Sequence, residues 1–233
     1  MIRKIFSLFG YSLTKKKKSV NIDDIIRLRL KRNKHNILLD IGANYGAFSE
    51  YNDDLFKKIY FIEPNTDLLD KLKKKFYKNH KYFFCDFATG DKNEIRSFYI
   101  TNDSHQSLSS LKKQTTEMKE NFRNTNVVNK KKIIVKRLDT YFNETKFNYK
   151  NFFLKIDTQG NDYETLIGLG NYIKKVKFIK IEMPCTKLYK INYTHWDILN
   201  YLKINNFEPV FFENLSRKKN GKLIEYDVFF EKK

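Results

Sequence analysis

The chain of 233 residues carries 46 Lys and Arg against 27 Asp and Glu, a formal charge of +19, with 41% hydrophobic and 16% aromatic residues. That length and apolar content suit a globular domain with a substantial core and exclude intrinsic disorder. No apolar run reaches the roughly 18–20 residues of a membrane span, and Cys85 and Cys185 make neither a disulfide framework nor a metal cluster, as suits a reducing, cytoplasmic setting.

Residues 1–34 differ from the rest and read as a basic amphipathic N-terminal segment, with the main domain over 35–233. MIRKIFSLFGYSL places Ile2, Ile5, Phe6, Phe9 and Leu13 at helical spacing, KKKK follows at 15–18, and NIDDIIRLRLKR gives a second amphipathic helix. The apolar part is short and lacks a small-residue cleavage pattern, so it does not read as a secretory signal. Its stripe either docks on the domain or makes a weak peripheral contact with the inner face of a membrane, lysines near the headgroups.

From residue 36, strand and helix alternate. NILLD is an apolar strand closing at Asp40, and 44–57 reads as a helix with Phe48, Tyr51 and Leu55 inward. KIYFIEP (58–64) is a second strand stopped by Pro64. Asn65 or Thr66 caps a helix whose stripe is Leu68, Leu69, Leu72 and Phe76. KYFFCD (81–86), FFLKID (152–157) and VKFIKIEM (176–183) are further strands, with a helix over 161–169 between the last two. Thr194 and Asp197 form a capping box for a helix through Leu202, and strands follow at 207–212 and 224–231.

Strands separated by single helices predict an α/β, doubly wound, seven-stranded, mostly parallel sheet. The turn-rich NLSRKKNGKL makes the last two strands an antiparallel hairpin at one edge. Residues 87–150 are irregular: a strand at 95–100, a Ser- and Asn-rich loop at 101–126, and KKIIVKRL at 131–138. A loop that long in a compact domain is functional or disordered.

The charge invites a polyanion, yet only 8 of the basic residues are Arg, the side chain whose planar fork matches phosphate and guanine edges. Nucleic acid is therefore not favoured as a partner, and most of the charge reads as solvated surface.

DIGANYG (40–46) ends the first strand and opens a helix, at the sheet edge where such folds bind ligands. Two glycines suggest that backbone comes close to something that is not protein. Gly42 removes a Cβ at that approach, Asn44 tolerates unusual dihedrals, and Gly46 lets helix and strand meet. A dinucleotide site would prefer G-x-G-x-x-G; here the spacing is G-x-x-x-G, and Asp40 would repel a pyrophosphate but attract an ammonium. Glu63, ending the second strand, can accept two ribose hydroxyls. Asp86, ending the third, can accept from an adenine amino group. A cationic amino acid, a ribose and an adenine in sequence describe S-adenosylmethionine, with Ala43, Pro64 and Phe87 flanking these positions.

With IEPN (62–65), SLSSL (107–111), RLDTYF (137–142), LKIDTQGNDYETLIGLG (154–170) and IKIEM (179–183), the chain resembles the FkbM-type methyltransferases of the class I S-adenosylmethionine-dependent superfamily. The resemblance implies a Rossmann-like fold and methyl transfer to a hydroxyl of a sugar, polyketide or similar small metabolite. A saccharide, as a glycan or glycolipid precursor, is the expected acceptor. Alternatives are RNA or protein methylation, or a non-catalytic binding module on the same sheet.

A neutral hydroxyl is a poor nucleophile, so a base helps. Asp157, ending the fourth strand with Lys155 on its face, is the first candidate; its alternative role is to cap helix 161–169 or pair with Lys155. His105 has a suitable intrinsic pKa, and Glu182, ending the fifth strand, can orient the acceptor. His35, His80 and His195 read as structural. Gln159 stands where many relatives have Glu, and Asp162 replaces a second Glu. The lost carboxylate places a divalent metal below metal-free catalysis.

Overall fold

The computed structural model describes residues 21–31, 37–77, 80–103, 106–123 and 125–233. Its first helix, α1 (Ile22–Leu30), starts at a reciprocal cap: the Asp24 N–H donates to the Asn21 side chain (2.8 Å) and the Asn21 N–H to the Asp24 carboxylate (3.3 Å). Ile22, Ile26 and Leu30 are buried against the sheet, so the second half of the basic segment docks on the domain. The amphipathic stretch 1–20, His35 and the candidate base His105 lie outside the described residues.

The chain continues through β1 (Ile37–Ile41), α2 (Ala47–Tyr51), β2 (Lys58–Ile62), α3 (Thr66–Lys75) and β3 (Tyr82–Cys85). Asn65 caps α3, which buries the expected leucines. The helix expected over 44–57 is shorter, because Gly46 at φ +70° delays its start and a 3₁₀ turn, Asp53–Leu55, ends it. Tyr51 consequently points to solvent, and Ser49 takes the inward position, its hydroxyl donating to Asp40 (2.6 Å).

The irregular region is a second sheet. β4 (Ala88–Thr89), β5 (Glu94–Thr101), α4 (Thr116–Asn121) and β6 (Val127–Lys136) precede α5 (Leu138–Glu144), and the strands order as β4-β6-β5. RLDTYF is thus the start of a helix, with Leu138 and Phe142 fully buried.

The remaining elements are β7 (Phe152–Ile156), α6 (Asp162–Gly168), β8 (Val176–Pro184), α7 (His195–Ile204), β9 (Phe207–Arg217) and β10 (Leu223–Lys232). The large sheet runs β3-β2-β1-β7-β8-β10-β9; its first five strands are parallel, and the hairpin joins antiparallel through β10. Both faces are covered, which is why β1, β2 and β7 are near-continuous apolar runs. Phe153, Phe178 and Phe229 stand side by side on β7, β8 and β10, facing the α1 and α3 side, with ring centroids 5.6–6.3 Å apart. Each such buried ring contributes about 1.5–3 kcal/mol of transfer free energy. Leu154, Ile156, Ile179 and Ile181 face the other layer with α5, α6 and α7. Among the described residues no helix is long and apolar enough to cross a membrane.

Candidate active site

β1 continues outward to β2 on one side and meets β7 on the other, so strand order reverses between them. At the carboxyl ends of these strands lies a cavity of ≈ 500 Å³, walled by the turns after β1, β2 and β7 and by the loop 106–111. Of the expected donor-site residues it brings together Gly42, Ala43, Asn44, Glu63, Pro64 and Phe87.

The glycines have protein neighbours. A Cβ on Gly42 (φ +68°) would stand 1.9 Å from the Asp157 carbonyl oxygen, and one on Gly46 would stand 2.8 Å from Leu72 Cδ2 and 2.9 Å from Phe76 Cε2. The Cβ that Gly42 lacks would enter the β7 turn, so its absence lets that turn close in, while the residue's backbone borders the cavity. Asn44 does adopt a left-handed conformation (φ 50°), as expected, and its N–H donates to Glu63 Oε2 (2.9 Å).

Glu63 is buried, with Oε1 accepting the Asn65 N–H (2.9 Å). Burial pushes its carboxyl up to about 7, against the pull of the Asn65 and Asn44 N–H groups and of Lys155. Asp40 is wholly buried and does not border the cavity; besides Ser49 it faces Lys155, whose Nζ lies 3.2 Å from Oδ1. The same ammonium donates to the Gly42 carbonyl (2.8 Å) and lies 3.5 Å from Asp157 Oδ2. Burial lowers the Lys155 pKa, but Asp40 and Asp157 raise it by more. Asp86 does not reach the cavity: alternation around the β3 end buries Cys85 and Phe87 and leaves Asp86 exposed.

Asp157 faces the cavity with its side chain 42% exposed. Burial pushes its carboxyl up, while Lys155 and the Gln159 amide pull it further down, to a net value below the usual aspartate range. It pairs with Lys155 but does not cap the following helix. Asp162 organises that turn, accepting the N–H groups of Thr158 (2.9 Å) and Gly160 (3.1 Å). Burial raises Asp162 to about 6.

Gln159 (φ 55°) joins three groups. Its Nε2 donates to Asp157 Oδ1 (2.9 Å) and lies 3.4 Å from Glu182 Oε2, while its Oε1 is 2.9 Å from the Tyr189 hydroxyl. Glu182 borders the cavity beside Lys180 and Glu225. Burial, then the charges of Asp157 and Glu225, hold its carboxyl well above the ordinary range; Glu225 is raised to about 7 by burial first, then by the charges of Asp157 and Asp227. Lys180 is held by Asp227 (2.6 Å).

The loop 106–111 ties the two halves together. The Asn65 amide donates to Gln106 Oε1 (2.8 Å), and the Ser110 hydroxyl donates to the Gln159 carbonyl (2.5 Å). Sequence reasoning missed Tyr189, Lys180 and Glu225. The alternation of Lys180 with Glu182 along one strand is a signal for the second; Tyr189 has none. His80 is exposed, and His195 Nδ1 lies 3.2 Å from the Pro184 carbonyl oxygen; neither borders the cavity. Among the described residues no group of three or more His, Cys, Asp or Glu is placed to hold a metal ion.

A family profile described as the methyltransferase FkbM domain matches residues 40–209. No curated protein matches the chain. Solved structures similar to it include an rRNA methylase from Streptococcus thermophilus, at 11% identity over 94% of this chain and 99% of that one, TM-score 0.47. Another is magnesium protoporphyrin IX methyltransferase from Synechocystis with bound S-adenosylmethionine, at 10% identity over 100% and 95%, TM-score 0.49. A third is the N-methyltransferase NodS from Bradyrhizobium japonicum, at 9% identity over 90% and 93%, TM-score 0.47. The profile spans most of the chain, from the acid of the glycine loop through the last helix, and the chain belongs to the FkbM methyltransferase family.

Proposed function

We propose that the protein transfers a methyl group from S-adenosylmethionine to a hydroxyl of a saccharide, free or as a glycan or glycolipid precursor, with Asp157 as general base. One observation carries this reading: a single cavity joins the Glu63 carboxylate at the end of β2 to the Asp157 carboxylate at the end of β7. Each Glu63 oxygen holds one backbone N–H and keeps further acceptor capacity, which fits a ribose diol. Ala43, Asn44, Pro64 and Phe87 wall the same space. Asp40, engaged by Lys155 and Ser49, serves to anchor that lysine.

The bound donor supplies a methyl group already activated on a sulfonium. What remains for the chain is alignment, which can supply effective molarities on the order of 10⁵ M or more, and removal of the acceptor's proton. Asp157 takes that proton; Lys155 and Gln159 keep it ionised and turned toward the cavity. Glu182, whose carboxyl is held well above its ordinary range by burial and by Asp157 and Glu225, orients the acceptor by a hydrogen bond to one of its oxygens. No metal is required in this scheme. Residues 35–233 form the cytoplasmic catalytic domain, with α1 packed onto it.

Incubation with methyl-labelled donor and separated saccharide, lipid, RNA and protein fractions tests the reading. Label in the saccharide or glycolipid fraction supports it; label confined to RNA or protein rejects the acceptor, and no heat with the donor in calorimetry rejects the whole scheme.

A further inference from the structure

The small sheet shields one side of its strands and leaves the other bare. β5 and β6 pair antiparallel, with Ile95 opposite Ile134, Ser97 opposite Lys132 and Tyr99 opposite Lys130. Alternation splits these residues between two faces. Phe98, Ile100 and Val135 point inward and pack with Ala88 and Leu111. The outward positions hold Ile95, Ser97, Tyr99, Lys130, Lys132 and Ile134, of which Ile95 is 68% and Ile134 51% exposed; beyond them a register shift leaves Val128, 60% exposed, unpaired in the ladder.

We infer that this outward face docks on an anionic lipid surface. Ile95 and Ile134, opposite each other on this face, with Val128 exposed at its edge, are costly in water and suit burial at an acyl boundary. Two lysines stand among them. Neither Lys130 nor Lys132 has an ion-pair partner among the described residues, whereas Lys136 is held by Glu144 (2.7 Å) and inward-facing Lys131 by Asp67 (3.2 Å). No acid occupies an outward position on either strand; Glu94 lies on the opposite parity and faces Arg96 (3.7 Å). Long lysine stems can follow the aliphatic surface while their ammonium groups meet lipid phosphates. The chain's charge of +19 adds long-range attraction to the same partner.

The composition of the face favours lipid over nucleic acid. A single-strand reader stacks bases on aromatic rings and Arg planes. This face has no Arg and one aromatic, Tyr99, over whose ring the Lys130 Nζ already sits at 5.6 Å. The inference does not depend on the acceptor, since none of these side chains borders the catalytic cavity.

The test is cosedimentation of the full chain with vesicles of phosphatidylglycerol mixed into phosphatidylcholine, and with phosphatidylcholine alone. The wild type is expected to sediment with the anionic vesicles only. The pairs Lys130→Gln with Lys132→Gln, and Ile95→Ser with Ile134→Ser, should each weaken that partition by about tenfold or more, with unchanged circular dichroism and donor-binding heat. Residues 1–20 are also basic, so the variants are made in the full chain. Undiminished binding assigns the contact to another segment and overturns the inference. So does a wild type that ignores anionic vesicles, or one that prefers single-stranded RNA or an acidic protein to them.

Discussion

The Tyr189 hydroxyl, 2.9 Å from Gln159 Oε1, fixes which end of that amide meets Asp157. The same hydroxyl lies 3.0 Å from the Leu108 carbonyl oxygen, so one phenol links the 106–111 loop to the candidate base. Tyr189→Phe removes the contact on the amide's oxygen and leaves it held only through Nε2 by Asp157 and Glu182. The expected result is a kcat lowered by up to about tenfold, the worth of one net hydrogen bond, with donor affinity retained. Gln159→Glu is expected to act differently. It replaces an N–H donor with a third carboxylate facing Asp157 and Glu182, which raises the Asp157 pKa and shifts the acid limb of the kcat–pH profile upward. A profile recorded on both variants separates the two effects.

Asp157→Asn keeps the turn's shape and removes its basicity. Turnover should fall by roughly 10²–10⁴-fold while calorimetry still reports donor binding. Full activity in this variant would transfer the base role elsewhere.

Several buried carboxyls are held above their ordinary values: Glu63 and Glu225 at about 7, Asp162 at about 6, and Glu182 well above 4.5. Between those values and the ordinary ones near 4, the native chain holds protons that the unfolded chain has lost. The ligand-free protein should therefore gain stability as pH falls from about 7 to about 5. Groups held low, such as Asp157 and Asp139, act in the opposite sense only below the ordinary aspartate range. Urea unfolding at pH 8 and pH 5.5 checks the sign, and Glu63→Gln should flatten the slope. Donor affinity should move the other way, weakening as Glu63 gains its proton and becomes a poorer acceptor for hydroxyls.

Gly42→Ala places a methyl group against the Asp157 carbonyl oxygen at a backbone angle that L residues avoid. Backbone strain alone costs about 1–3 kcal/mol, and the clash adds to it. The urea midpoint should drop, and activity should fall further than stability because the displaced peptide belongs to the candidate base.

The parallel half of the large sheet was legible because β1, β2 and β7 are mostly apolar runs; β2 and β7 stop before an acid, while β1 carries the buried Asp40 and runs on to Ile41. The cap of α3 and the capping box of α7 were legible for the same local reason: short side chains and backbone N–H groups a few residues apart. Of the small sheet only the strand at 95–100 was legible, and it is β5; its assembly was not. Its β4 has two residues and pairs with β6 across a long loop, so no periodicity announces it. Reading strand ends put Glu63 on the cavity wall but not Asp86, where one step of alternation turns the side chain outward. Tyr189 escaped notice because its meaning lies in a contact with Gln159, and nothing in TKLYKIN marks it.

The Asp40–Lys155 pair has a bearing on turnover. A sulfonium donor and its spent thioether differ by one positive charge, so the charge balance around the site bears on which of them is held more tightly. Here a single ammonium serves two carboxylates, Asp40 at 3.2 Å and Asp157 at 3.5 Å, and the trio keeps a net negative charge. That surplus sits on the cavity side, at Asp157, where it would favour a charged nucleoside over its neutral by-product.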